Sequence, residues 1–89
     1  MRRVDATNVN HLYMIRMSDR FQELSVFVRA AETGSFSKVA REFGMSQPSV
    51  SRMVASLEGR LGVKLLLRTT RRVALTEAGV VFLERSTQT

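Results

Sequence analysis

Phe21, Leu24, Phe27, Val28 and Ala31 recur at helical spacing and share one face. Ser18 or Asp19 caps this run, and Gly34 suits the left-handed position after a helix. The spacing predicts a first helix over Asp19 to Glu32. A shorter stripe follows in Val39, Ala40 and Phe43, with Phe36 packing at its entry. Ser35 to Ser37 supplies caps and Gly44 a stop, so a second helix is expected over Ser37 to Phe43. Val50, Val54, Leu57 and Leu61 form a third stripe at i, i+4, i+7 and i+11, with Met53 beside it. Ser46 caps this helix. Pro48 falls in the first turn, where a backbone N–H has no intrahelical partner to lose, and Gly62 ends it. Lys64 to Arg68 and Val73 to Leu75 are β-prone runs around Thr69-Thr70-Arg71-Arg72, a two-stranded hairpin with a basic tip. Thr76 and Glu77 open a last helix with Ala78, Val81, Phe82 and Leu83 on its apolar side.

The third helix is unusual on its polar side. At about 100° per residue, Pro48, Ser49, Ser51 and Arg52 turn away from the buried stripe, and Ala55 and Gly59 continue that face. Small residues with one guanidinium give low relief. Such a flank approaches another molecule more closely than one covered in Lys and Glu. Gly59 costs this helix about 0.8–1 kcal/mol relative to Ala.

Charge sharpens the picture. The formal net charge is +6 over 89 residues. Gly44 to Leu75 carries Arg52, Arg60, Lys64, Arg68, Arg71 and Arg72 against Glu58 alone, whereas Met17 to Phe43 is neutral. A basic second half beside a neutral first half points to a polyanionic partner, although a solvated surface gives the same balance. The length allows one small domain, burying about 60–65% of its unfolded surface.

Two helices, a tight turn after Gly44, a third helix with a small polar face and a basic hairpin make a winged helix-turn-helix pattern. The fold class expected is mainly α: three helices, a two-stranded β wing and a C-terminal linker helix. The major groove of B-DNA admits one helix, whose N-terminal part meets base edges. Gln47 can pair bidentately with adenine and Arg52 with guanine. Ser49 and Ser51 suit bases or phosphates, and Pro48 and Ala55 thymine methyls. The helix N-terminus at Ser46 adds partial positive charge near a phosphate. Arg71 and Arg72 on a narrow hairpin suit the adjacent minor groove or phosphates.

The stretch "FVRAAETGSFSKVAREFGMSQPSVSRMVASLEGRLGVKLLLRTTRRVALTEAG", Phe27 to Gly79, resembles the N-terminal DNA-binding domain of LysR-type transcriptional regulators. "GSFSKVA", "SQPSVS", "LEGRLG", "LLLRTTR" and "LTEAG" recur in order and are specific together. The resemblance covers about Arg20 to Arg85. It implies sequence-specific binding of double-stranded DNA in a bacterial cytoplasm, with a recognition helix at about 47–61 and a wing at about 65–75. Gln47, Pro48, Ser51 and Arg52 match recognition-helix positions. Arg68, Thr69 and Arg71 match the wing, with Arg68 alternatively fixing its base. Ser35, Ser37 and Lys38 sit where the family contacts phosphates. Leu66 stands where phenylalanine is common, so a lighter wing core is expected. The resemblance also implies a homodimer paired through the linker helix, hence an inverted-repeat site, and a C-terminal effector-binding domain absent from these residues. The expected layout is a leader over 1–17, a binding domain over 18–75 and the start of a linker helix over 76–89, as part of a longer protein. Val80 to Leu83 offers more apolar surface than a small core needs, so Val81, Phe82 and Leu83 are expected at a dimer contact.

Simpler roles exist for several of these residues. Ser46 is a cap in any reading, Gln47 an ordinary first-turn residue and Arg52 a solvated cation. Arg71 and Arg72 also suit a charged turn protecting a sheet edge. A module that binds only protein, with its charge serving solubility, is the competing function; a duplex titration separates the two. Ser35-Phe36-Ser37-Lys38 matches the S-x-x-K of acyl-transfer enzymes, but no S-D-N or K-T-G follows, so no catalytic residue is expected. The basic half has only Phe82 as an aromatic, against a single-strand binder. No cysteine occurs, and His11 lies alone in the leader, so neither a metal nor a cofactor is expected. No apolar run reaches the ~18 residues of a membrane span. Met1 to Met17 lacks the apolar core of a signal peptide. It reads as a flexible tail, a vector-derived extension or an upstream start, with Met14 and Met17 as alternative native starts.

Overall fold

The computed structural model describes residues 19–69 and 72–87. The leader over 1–17 and Arg71 lie outside the described residues. Residues 19–33 form α1, followed by α2 (Phe36–Phe43), α3 (Gln47–Leu61), β1 (Leu66–Arg68), β2 (Val73–Leu75) and α4 (Glu77–Ser86). The expected order of elements is therefore present, and the fold is a winged helix-turn-helix.

Side-chain caps set the helix starts. Ser35 opens α2, its hydroxyl accepting from the Lys38 amide at 3.2 Å. Ser46 opens α3 in the same way, accepting from the Ser49 amide at 3.2 Å, with proline in the first turn. Each satisfies an N–H that has no partner inside its own helix. Gly44 ends α2 at φ 65°, a left-handed conformation that favours glycine. The next amide, Met45 N–H, donates back to Ala40 C=O at 2.9 Å, which turns the chain sharply into α3.

One cluster holds the layers together. Val26, Phe27 and Ala30 of α1 meet Val39 and Ala40 of α2, Val50, Val54 and Leu57 of α3, and Leu65 and Leu66 at the wing root. Phe27 and Leu65 are fully buried, and each such side chain contributes about 1.5–3 kcal/mol. The Phe82 ring of α4 packs edge-on against Phe27, with centroids 5.5 Å apart.

Two expected core positions are exposed. Phe21 is 64% exposed; Glu23, Val26, Phe27 and Ala30 are the buried set on α1, with Leu24 and Val28 half-buried against the core. Glu23 is tolerated there because the Arg60 guanidinium of α3 binds its carboxylate. Leu61 is 44% exposed although it lies in line with Val50, Val54 and Leu57. It is the last residue of α3, beyond the end of the core.

The wing is a short antiparallel pair, with Leu66 opposite Leu75, Leu67 opposite Ala74 and Arg68 opposite Val73. Pairing begins later than Lys64 because the preceding backbone is already engaged. Leu65 N–H donates to the Glu58 carboxylate at 2.8 Å, and Leu65 C=O accepts from Thr76 N–H at 2.9 Å. Leu66 N–H donates to the same Glu58 oxygen at 3.1 Å. Val73 N–H donates to Gly34 C=O at 3.1 Å, seating β2 on the turn between α1 and α2.

Helix α4 is fastened at the same root. The Thr76 hydroxyl donates to Lys64 C=O at 2.7 Å and accepts from Gly79 N–H at 2.9 Å. Gly79 permits the close approach: a Cβ there would lie 2.1 Å from the Leu65 carbonyl oxygen. Phe82 and Leu83 are half-buried and pack partly on the core of their own chain. Val80 and Val81 are the outward pair, 42% and 49% exposed.

Candidate nucleic-acid interface

The N-terminal turn of α3 leaves Ser46, Gln47, Pro48 and Arg52 exposed, while Val50 and Val54 on the opposite side are buried. Ser49 is half-buried within a short hydrogen-bonded chain. The Ser46 hydroxyl donates to Ser49 Oγ at 2.9 Å, and Arg52 Nη2 donates to the same oxygen at 3.3 Å. One polar side of the helix start is thus internally ordered, with Arg52 laid along it. Gln47 and Pro48 stand beside it at the mouth of the turn.

Arg68 reaches across from the wing. Its Nη1 donates to Ser51 Oγ at 2.7 Å, and its Cζ lies 5.2 Å from the centroid of the Phe36 ring. The side chain therefore links β1 to both helices of the helix-turn-helix unit. The hairpin tip is closed by its own backbone: Thr69 N–H donates to Arg72 C=O at 2.9 Å, and Arg72 N–H to Thr69 Oγ1 at 3.1 Å. Thr69 and Arg72 are both exposed.

The start of α2 completes the surface. Ser37 and Lys38 are exposed, and the Ser35 and Ser37 hydroxyls lie 3.5 Å apart. In the S-x-x-K match, the Ser35 hydroxyl caps the Lys38 backbone amide. An open groove of about 300 Å³ separates the wing from the helix starts, lined by Ser35, Ser37, Gln47, Arg68, Thr69 and Arg72 among others. Residues distant in the chain are thus brought to one polar trough. Lys38, Pro48 and Arg52 are not among its lining.

Residues 21–80 match the family described as "Bacterial regulatory helix-turn-helix protein, lysR family".

The chain belongs to the LysR family.

It is 47% identical over 70 residues to the HTH-type transcriptional regulator CrgA of Neisseria meningitidis serogroup B, a match covering 79% of this chain and 23% of that protein. It is also 47% identical over 64 residues to the HTH-type transcriptional activator AaeR of Escherichia coli K12, covering 72% and 21%. Among solved structures, the CbnR DNA-binding domain in complex with DNA superposes with a TM-score of 0.71 at 41% identity, covering 74% of this chain and 76% of that one. The BenM DNA-binding domain in complex with catB site 1 DNA gives 0.68 at 37% identity, covering 73% of each chain. This LysR-family chain therefore spans less than a quarter of the length of the curated relatives named here.

Two contacts around the wing root have little or no signal in the linear sequence. In the sequence Glu58 is the lone acid of the basic segment Gly44 to Leu75. In the structure it fastens the wing to α3 through two amides, with Lys64 Nζ 3.8 Å away. An acid isolated among six cations was the available signal. The spacing of Phe36 predicts packing at the entry of α2, and its contact with Arg68 has no signal in the linear order. No helix among the described residues is long and apolar enough to cross a membrane.

Proposed function

We propose that this chain is the sequence-specific, double-stranded DNA-binding part of a cytoplasmic transcriptional regulator, with α3 in the major groove and the wing at the minor groove or its phosphates. One observation carries the reading: Gln47 and Arg52 face outward on a flank of small residues whose opposite side is buried. Gln47 reads adenine and Arg52 guanine, each through a bidentate pair. Pro48 lies against a thymine methyl. Ser51 and Arg68 act together, since they are hydrogen-bonded. Ser35, Ser37, Lys38, Ser46 and Ser49 border phosphates at the two helix starts, where backbone dipoles favour anions. Thr69, Arg71 and Arg72 contact the backbone or minor groove from the wing. That DNA-binding domains of CbnR and BenM are among the similar structures, in complex with DNA, supports duplex DNA as the partner.

The binding domain spans 18–75, and 76–89 begins a linker helix that pairs two subunits on an inverted-repeat site. Val81, Phe82 and Leu83 lie at that contact, with Val80 and Val81 its most exposed apolar side chains. An effector acts on a further domain of the longer protein.

Selection of bound duplexes from a randomised library tests the proposal. A converged motif is expected, and affinity for it should fall steeply with salt, with a slope of roughly −0.9 per neutralised phosphate on a log–log plot. Recovery of unselected sequence, or binding indifferent to salt, refutes it.

A further inference from the structure

We propose that Phe36 is a positioning residue for DNA binding: its ring, together with the Ser51 hydroxyl, presets Arg68 so that wing and recognition helix meet a duplex as one surface. The inference rests on the function proposed above and assigns Phe36 no contact with DNA.

Arg68 leaves the wing on β1, where Val73 is its partner. A guanidinium on a two-stranded hairpin, exposed to water, ordinarily samples many rotamers, and fixing it costs conformational entropy. Two neutral groups hold it here. Ser51 Oγ accepts from Nη1 at 2.7 Å, and Cζ sits 5.2 Å from the Phe36 centroid. Neither partner bears charge, and among the described residues no carboxylate pairs with Arg68. The side chain is therefore ordered without being neutralised, a combination suited to an anionic partner.

Its location strengthens the inference. Arg68 lines a small cavity of about 40 Å³ behind it, beside Phe36 and Val54, and also the open groove in front, beside Gln47 and Thr69. Phe36 lines both as well. Phe36 is the first residue of α2 and Ser51 lies one turn into α3, so the contact spans three elements. Loss of the ring face frees Arg68 in the unbound protein, and binding must then order it.

A double-mutant cycle on the 89-residue chain tests this, with a duplex selected by the wild type from a randomised pool as probe. Phe36→Leu retains an apolar side chain and removes the ring. It should weaken binding roughly two- to fivefold, the range of a partly exposed cation–π contact. In an Arg68→Ala background the same change should have no further effect, and Phe36→Tyr should restore wild-type affinity wherever Arg68 is present. Thermal melts identify any variant that fails to fold. Should Phe36→Leu do so, Phe36→Tyr compared with Phe36→Met carries the same contrast. Equal losses with and without Arg68, or a failure of tyrosine to rescue, overturn the inference. Absence of any duplex binding by the wild type overturns the underlying function instead, so the two failures are distinct.

Discussion

Between α1 and α2 the bridging arginine is saturated with carboxylate. Arg29 binds Glu42 through Nε at 2.9 Å and Nη2 at 2.7 Å, and Glu32 through Nη1 at 2.7 Å. At the start of α3 and along β1 the cations lean on neutral groups instead: Arg52 on Ser49, and Arg68 on Ser51 and Phe36. The far end of α3 returns to the first habit, with Arg60 on Glu23 and Lys64 near Glu58. A cation paired with a carboxylate presents no net positive charge to a distant anion. One ordered by a hydroxyl or a ring keeps its charge, felt over about 10 Å at moderate salt. Ion pairs thus join α1 to α2 and to the far end of α3, whereas Arg52 and Arg68 are held by neutral partners.

The largest disturbance of this contrast comes from Gly79→Ala. Its Cβ would meet the Leu65 carbonyl oxygen at 2.1 Å, so α4 and the wing root must separate. A loss on the order of 3 kcal/mol is expected, enough to leave much of so small a domain unfolded in a denaturant titration. Wild-type stability in that variant would show that the close approach is not needed.

Glu58→Ala tests the join between α3 and wing. It strands the amides of Leu65 and Leu66, at a cost of about 1–3 kcal/mol. Hydrogen exchange should rise at those two amides, while Glu58→Gln, which keeps an acceptor oxygen, should be milder. Unchanged exchange would assign the wing's seating to packing alone.

Arg52→Ala belongs to the other side of the contrast. It should leave the melting temperature almost unmoved, weaken specific DNA binding by about 1–3 kcal/mol and blur preference at one base position. Equal selection profiles for both proteins would remove Arg52 from the readout.

The smallest effect is at Glu42. The Arg29 guanidinium, chiefly by hydrogen bonding, holds its carboxyl below the ordinary value of 4.5. The folded state therefore binds this proton less readily than the unfolded chain. The resulting stability is complete above that ordinary value and lost as pH falls through the depressed one. Melts of Glu42→Gln should differ slightly from wild type near neutrality and converge in acid. A difference independent of pH would count against an electrostatic origin.

Local chemistry determined much of this by itself. Ser35, Ser46 and Thr76 are caps because a side-chain oxygen satisfies an amide three residues on, an event within one helical turn. Gly44 and Gly62 stop helices, and the outward flank of α3 follows from a period of 3.6. For these the linear order is sufficient, since cause and effect lie within a few residues. Tertiary structure decided which of two apolar faces α1 buries. Phe21 is left exposed while Val26 and Ala30 are buried, and Arg60, 37 residues from Glu23, binds that carboxylate on the inner face. It also decided that Phe82 and Leu83 serve their own core, that Glu58 holds the wing and that Arg68 lies between Phe36 and Ser51. Each depends on the distance and angle between elements, which long-range packing sets and no local period encodes.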